Sequence, residues 1–181
     1  MISIEHFRKK ELIAMALLAL LWASANLAFR DSFYISIALA FTTMSLLLLM
    51  TCRLGRATLS LTIGVILSLL LIQSGILDME WLLLPALIAT SAIFEICVMI
   101  TSKTRIKSIS LTMIIPALIS SAILPWTLLL TSGATTLGKL SMEMINMTIA
   151  SQLSALAGTV IALLIWELIK TKTFALRIMH E

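Results

Sequence analysis

The chain has 181 residues, of which 60% are hydrophobic and 12% charged, with a net charge of +4 and a mean hydropathy of +1.10. A soluble domain is about a quarter charged, so this chain has too little polar surface to cover itself in water, and lipid is its expected solvent. Two cysteines, Cys52 and Cys97, without CxxC spacing, and two histidines, His6 and His180, show neither a disulfide framework nor a His/Cys metal site.

Six apolar runs are separable, roughly 11–29, 33–51, 57–75, 81–101, 108–130 and 146–169, each about 19 to 24 residues long. At 1.5 Å per residue each is long enough to cross a hydrocarbon core of about 30 Å. They are broken at Arg30-Asp31, "CRLGR", "QSGILDME", "SKTRIKS" and "TSGATTLGKLSMEMIN", none long enough for a soluble domain. The expectation is an all-α integral membrane protein: one domain, 1–181, built as a six-transmembrane-helix bundle.

Arg8, Lys9 and Lys10 precede the first run. Such a basic start, an apolar stretch and Ala23-Ser24-Ala25 have the outline of a signal peptide, but the run continues through Leu27-Ala28-Phe29 and reads better as a first helix. Its Ala16, Ala19 and Ala23 share a face, either for packing inside the bundle or as a groove for another protein's helix. Arg53 and Arg56 lie between runs two and three, Lys103, Arg105 and Lys107 between four and five, and Lys170, Lys172 and Arg177 after the sixth. With six alternating helices, 11 of the 13 basic residues fall on one side, leaving Arg30 and Lys139 on the other. The positive-inside rule then puts both termini in the cytoplasm of a multi-pass cell-membrane protein.

The fourth run carries a carboxylate in "ATSAIFEICVMIT": Glu95, about 12 Å from Lys103 by helical rise and so in the inner half of the membrane. Its face repeats as Ile88, Ser91, Ala92, Glu95, Met99 and Ser102, and the cost of exposing a carboxylate to lipid turns it toward the bundle. Three roles are open: a neutral residue hydrogen-bonded to a neighbouring Ser or Thr, a substrate or proton site, or a contact with a partner subunit. No buried Lys or Arg is expected as its mate. Pro85 stands in run four, Pro116 and Pro125 in run five; each frees a carbonyl, and the kinks either widen a cavity or shape the packing. In the sixth run Ala150, Ser154, Gly158 and Ala162 form a small-residue stripe suited to internal packing.

The remaining intramembrane polar residues, Asn26, Gln73, Asn146 and Gln152, belong to the outer halves of their helices. With Arg30, Asp31, Asp78, Glu80, Trp81, Trp126 and Glu143 they cluster toward one mouth. The tryptophans serve there as interfacial anchors, or the cluster lines a cavity for a small polar, aromatic or cationic solute.

Several motifs fail. "GATTLGKL" misses the phosphate-binding loop at Leu140, where a Mg²⁺-binding hydroxyl is needed. No Ser/His/Asp set can be assembled. "NMT" at 146–148 fits a glycosylation acceptor but falls at a helix start, and "CRLGR" is too short for a nucleic-acid patch. Apart from Glu95 there is little to support an enzyme, and no cofactor is expected.

The first-helix "AMALLALLWASA", the basic approach to the third helix in "RLGRATLSLTIGVILSLLL", and the terminal "LSALAGTVIALLIWELIK" together resemble the substrate-binding S components of energy-coupling factor (ECF) vitamin transporters. The resemblance implies six helices with both ends cytoplasmic, a micronutrient bound at the outer mouth, and docking through Ala19 and Ala23 onto a membrane coupling subunit driven by two ATPase subunits. Toppling in the membrane would present the solute inward. The chain departs from that family in its short first external loop, "FRDSF", and in lacking a Gly-rich stretch around helix 2. A small structural or assembly membrane protein without a solute is the competing expectation.

Overall fold

A computed structural model describes residues 9–28, 32–51, 53, 55–73, 83–103, 108–132 and 137–170. Six helices account for nearly all of them: α1 (Lys9–Ala28), α2 (Phe33–Thr51), α3 (Arg56–Gln73), α4 (Leu83–Lys103), α5 (Ile109–Ser132) and α6 (Leu137–Ile169). No strand occurs among the described residues. Five helices begin within two residues of the runs read from sequence. The sixth starts nine residues earlier than expected, so "LGKLSMEMI" is helix rather than loop. Leu, Lys, Met and Glu are good helix formers, and the segment has one glycine and no proline. Hydropathy alone ends the run at Glu143 and Asn146, where helix propensity does not.

Four helices contain stretches long and apolar enough to cross a membrane: Tyr34–Thr51, Pro85–Lys103, Ile109–Thr127 and Met144–Ile169. They point to a membrane protein. α1 and α3, of 20 and 18 residues, carry apolar stretches at Glu11–Ala25 and Arg56–Leu70 among the described residues.

α2 is the central helix. Within its span 72% is buried, against 28 to 39% for the other three, and every residue from Ala40 to Leu49 is buried. It packs against α1, α3 and α6, and the outer helices pair as α1–α3, α3–α4, α4–α5 and α5–α6. Phe41 of α2 meets Phe94 of α4 edge to face, with ring centroids 5.6 Å apart. Leu48 and Arg53, Ser102, Ile109, and Trp166 surround one cleft, which gathers the last turns of α2, α4 and α6 and the first turn of α5. Glu11 joins them through Arg53 and Arg56. Consecutive helices thus alternate in direction, and both described chain ends lie at the same end of the bundle. Arg53, Arg56, Lys103 and Lys170 belong to it, and we call it the basic end.

Helices approach closely where the sequence offers small residues. A Cβ on Gly158 would overlap the carbonyl of Ala38, and Thr42 Oγ1 donates to Gly158 O at 3.0 Å, so the stripe on α6 is spent on α2. On α3, a Cβ on Gly64 would lie 2.8 Å from the Trp22 ring and 3.3 Å from the Ala19 carbonyl. Ser60 Oγ donates to Met15 O one turn away, and Trp22 Nε1 donates to Ser36 O at 3.4 Å.

The prolines of α5 have a specific consequence. Lacking an N–H, Pro116 and Pro125 release the carbonyls four residues earlier, Thr112 and Ser121. A hydroxyl of a neighbouring helix comes within reach of each: Thr101 Oγ1 of α4, 2.9 Å from Cys97 O on its own helix, lies 3.3 Å from Thr112 O, and Ser151 Oγ of α6, 2.9 Å from Thr148 O, lies 3.0 Å from Ser121 O. The two breaks in the α5 ladder are thus places where α5 meets a polar group of a flanking helix, as is Leu118 O, which faces Gln152 Nε2. Pro85, in the first turn of α4, displaces no helical hydrogen bond.

Candidate functional site

The densest polar cluster lies at the basic end, where α1, α3 and α4 converge. The α2–α3 connection turns through Gly55, whose φ of +83° is a conformation glycine adopts without steric cost. That turn lets α3 begin well inside the bundle, opposite Glu95. Eight residues separate Glu95 from the end of α4, so the first turn of α3 lies about 12 Å below that end. The opening N–H groups of a helix have no partner within it. Glu95 supplies one: Oε1 accepts from Ala57 N at 2.7 Å and Thr58 N at 3.1 Å, and Oε2 accepts from Gly55 N at 2.7 Å and Thr58 Oγ1 at 3.0 Å. Four donors surround one carboxylate at the positive pole of a helix, an arrangement that matches an acceptor-only group. The expected contact with a Ser or Thr is present as Thr58; the three backbone partners were not legible from sequence.

Directly beside it, Arg56 is buried and its Nε lies 3.1 Å from Glu11 Oε2. The two atoms are at ion-pair distance without hydrogen-bond alignment. Arg53 shares the same carboxylate at 3.6 Å through Glu11 Oε1 and is about a quarter exposed. The sequence reading expected no buried Lys or Arg as the mate of Glu95, and the ion pair formed beside it is with another carboxylate. Arg56 is buried, but its mate is Glu11, which sequence reading had left unassigned at the edge of the first helix. Hydropathy cannot show this, because which charges at helix ends face inward depends on how deep each helix starts.

One cavity adjoins this region and a second lies away from it. A cleft of about 510 Å³ lies between α2, α4, α5 and α6 at the basic end, with Arg53 at its rim. A second, about 730 Å³, is a lateral groove where α2 shows between α1 and α6. Its lining is apolar but for Tyr34 and three hydroxyls; those of Thr43 and Ser154 donate to carbonyls of their own helices, and that of Thr42 lies between Ala38 O and Gly158 O.

Of the residues grouped as a mouth, the described ones stand toward the opposite end. Trp126 and Asn146 are exposed, on α5 and α6. Gln152 is half-buried, with Nε2 3.4 Å from Leu118 O, so it joins α6 to α5. Asn26 and Glu143 stand on α1 and α6. Arg30, Asp31, Asp78, Glu80 and Trp81 lie outside the described residues. Of the alanines on α1, Ala19 and Ala23 are buried within the bundle and Ala16 is exposed. Among the described residues no three His, Cys, Asp or Glu side chains converge as a metal site.

No protein family, characterised protein or solved structure matches this chain. Its function is therefore argued from its own geometry and charge.

Proposed function

We propose that the chain crosses the cell membrane six times, with both ends in the cytoplasm, and serves as the solute-binding subunit of a micronutrient transporter that works with separate coupling and ATPase subunits. Six crossings are supported by the manner in which α1 and α3 begin. They are the pair whose polar ends meet inside the bundle, through Glu11, Arg56 and Glu95. Charges neutralised there need not reach the interface, so they do not bar either helix from spanning. The distribution of basic residues, 11 of 13 on one side, supports the orientation.

The observation that carries the transport reading is the contrast between the two ends. The basic end is tied by ion pairs and by the capped start of α3. At the other, the connecting segments carry Arg30, Asp31, Asp78, Glu80 and Trp81, and Trp126 and Asn146 are exposed on the adjoining helices. Such residues suit recognition of a small polar or aromatic solute arriving from outside. Docking onto a coupling subunit then falls to the free face of α1, where Ala16 is flanked by exposed Leu12, Ile13, Leu17 and Leu20. The test is mass spectrometry of small molecules released from protein purified from its native membrane. A stoichiometric solute that is lost in a Trp126→Ala/Asn146→Leu variant supports the reading; a protein carrying none sinks it.

One observation favours a second reading, a structural or assembly subunit with no solute. Ala19, Ala23, Gly158 and Glu95 are all spent on internal contacts. Stable co-purification with subunits unrelated to ATPases would select it. The engagement of both Glu95 oxygens by four donors leaves an acid–base role the least supported.

A further inference from the structure

We propose that a water-filled inlet opens at the basic end and reaches the turn at Gly55, bringing solvent to the edge of the Glu95 carboxylate about 12 Å inside the span of α4. The inference rests on α4 crossing a bilayer and is independent of whether the chain carries a solute.

Depth is the first observation. The apolar stretch of α4, Pro85–Lys103, is just long enough to cross a hydrocarbon core. Glu95 lies eight residues from the basic end of that stretch, and Gly55 N is 2.7 Å from Glu95 Oε2. α2 runs parallel to α4 and meets it through Phe41 and Phe94, then continues ten residues past Phe41 to Thr51. Gly55 therefore lies back inside the bundle, deeper than the end of the helix that leads to it.

The second observation is that protein does not seal this turn. Gly55 is partly exposed, and a Cβ placed on it would meet no atom of the described residues within 4 Å. Arg53, two residues earlier, is about a quarter exposed. Non-helical backbone at membrane depth is tolerated only where it is buried in protein or lines water. Gly55 is not buried. Lipid against the turn would face the Arg53 guanidinium and, behind it, the charges of Glu11, Arg56 and Glu95, which is costly. Water satisfies both the backbone and the charges.

The third observation is a route out. Met99 and Ser102 continue the Glu95 face toward the end of α4, and both line the cleft of about 510 Å³ together with Arg53. Ser102 and Lys103 are exposed there. At about 30 Å³ per water molecule, the Ser102 side of the cleft has room for solvent to pass from the basic end to the turn.

The experiment places single cysteines in the chain whose Cys52 and Cys97 are replaced by serine, reconstituted in phospholipid nanodiscs. Both faces then meet the reagent, so the result depends neither on orientation nor on a partner subunit. The probe is a quaternary-ammonium thiosulfonate. Ile96, beside Glu95 and at its depth, is exposed on the outside of α4 and reports on lipid. Gly55→Cys should react about a hundred-fold faster than Ile96→Cys, because a charged reagent in hydrocarbon at that depth is disfavoured by roughly that factor. Arg53→Cys should likewise outpace Ile100→Cys, exposed to lipid one turn nearer the end of α4. Equal rates within either pair overturn the proposal. Fast reaction at all four positions also overturns it, since this level of α4 would then lie outside the hydrocarbon. Should Gly55→Cys fail to fold, the second pair still decides.

Discussion

The Ser151 hydroxyl lies 3.0 Å across a helix interface from the carbonyl of Ser121, the group that Pro125 deprives of its helical partner, and 2.9 Å from Thr148 O on its own helix. The proline break and the hydroxyl that repairs it lie on different helices, so each makes sense only with the other. In lipid an unmet carbonyl is costly, whereas a single interhelical hydrogen bond contributes on average about 0.6 kcal/mol. We expect Ser151→Ala to destabilise the bundle by about 1 kcal/mol, measured by thermal unfolding in detergent. In a Pro125→Ala background, where residue 125 regains an N–H, the same change should cost almost nothing. Equal costs in the two backgrounds would show that Ser151 does not serve the freed carbonyl.

Glu95 holds the first turn of α3 through four donors, three of them backbone N–H groups. Glu95→Gln keeps the shape, but its amide nitrogen must face a donor and its charge no longer complements the helix pole. A loss of about 1.5–3 kcal/mol is expected, since hydrogen bonds to charged groups are worth that much. Glu95→Ala strands the donors together and should cost more. Hydrogen exchange at Ala57 and Thr58 gives the local readout. Unchanged protection in Glu95→Ala would mean that the turn stands without the carboxylate.

The Glu11–Arg56 pair is buried, so the direction of its mutational effects differs from that of a surface pair. Removing either partner leaves an uncompensated charge and should destabilise by about 3–5 kcal/mol. Replacing both, as Glu11→Leu with Arg56→Met, should restore most of that loss, because the desolvation penalty disappears with the charges. A double variant as unstable as the worse single one would contradict this account. Arg53, partly exposed and farther from the carboxylate, should cost less when replaced by Gln.

Much of the fold was legible because apolar runs and charge breaks are local properties. Tyr34–Thr51 could be read as a helix directly, being continuous, apolar and followed by Arg53. The start of α6 was misplaced because hydropathy marks where a segment becomes polar, not where it stops being helical. The site was less legible. That Glu95 faces inward followed from the cost of exposing it, and a hydroxyl partner belonged to one of the three roles left open. Its backbone partners were not, because they depend on α3 starting deep in the bundle, which Gly55 allows and no side-chain pattern announces. The pairing of Glu11 with Arg56 is similar: two helix ends 45 residues apart meet only once α1 and α3 are parallel neighbours.

The α1 alanines now separate into two classes with opposite expectations. Ala19 is 1% exposed, and its carbonyl lies close to where a Cβ on Gly64 would sit. Ala19→Trp has no room and should lower the unfolding temperature by an amount matching about 1–3 kcal/mol of overpacking, or prevent folding. Ala16 is on the free surface, so Ala16→Trp should leave stability unchanged within about 0.5 kcal/mol. If α1 docks onto a coupling subunit through this free face, Ala16→Trp should reduce co-purification of that subunit. Loss of folding in Ala16→Trp would instead show that its face is already packed.

The number of crossings turns on α1 and α3, so the labelling experiment is built around them. In a protein whose Cys52 and Cys97 are replaced by serine, single cysteines are introduced as Lys10→Cys, Arg30→Cys, Glu80→Cys and Lys107→Cys. An impermeant maleimide is then applied to intact and to permeabilised cells. With six crossings, Arg30→Cys and Glu80→Cys react in intact cells, whereas Lys10→Cys and Lys107→Cys react only after permeabilisation. If only α2, α4, α5 and α6 cross, Lys10→Cys and Arg30→Cys react from the same side, because α1 no longer separates them. With α2 crossing and α3 not, Glu80→Cys then falls on the side opposite Arg30→Cys. The two arrangements therefore differ in the relation between Arg30→Cys and Glu80→Cys, whichever way the bundle faces. Labelling from the same side requires α2 and α3 both to cross, and through the Glu11–Arg56 tie it places the charged cluster within the membrane and not outside it.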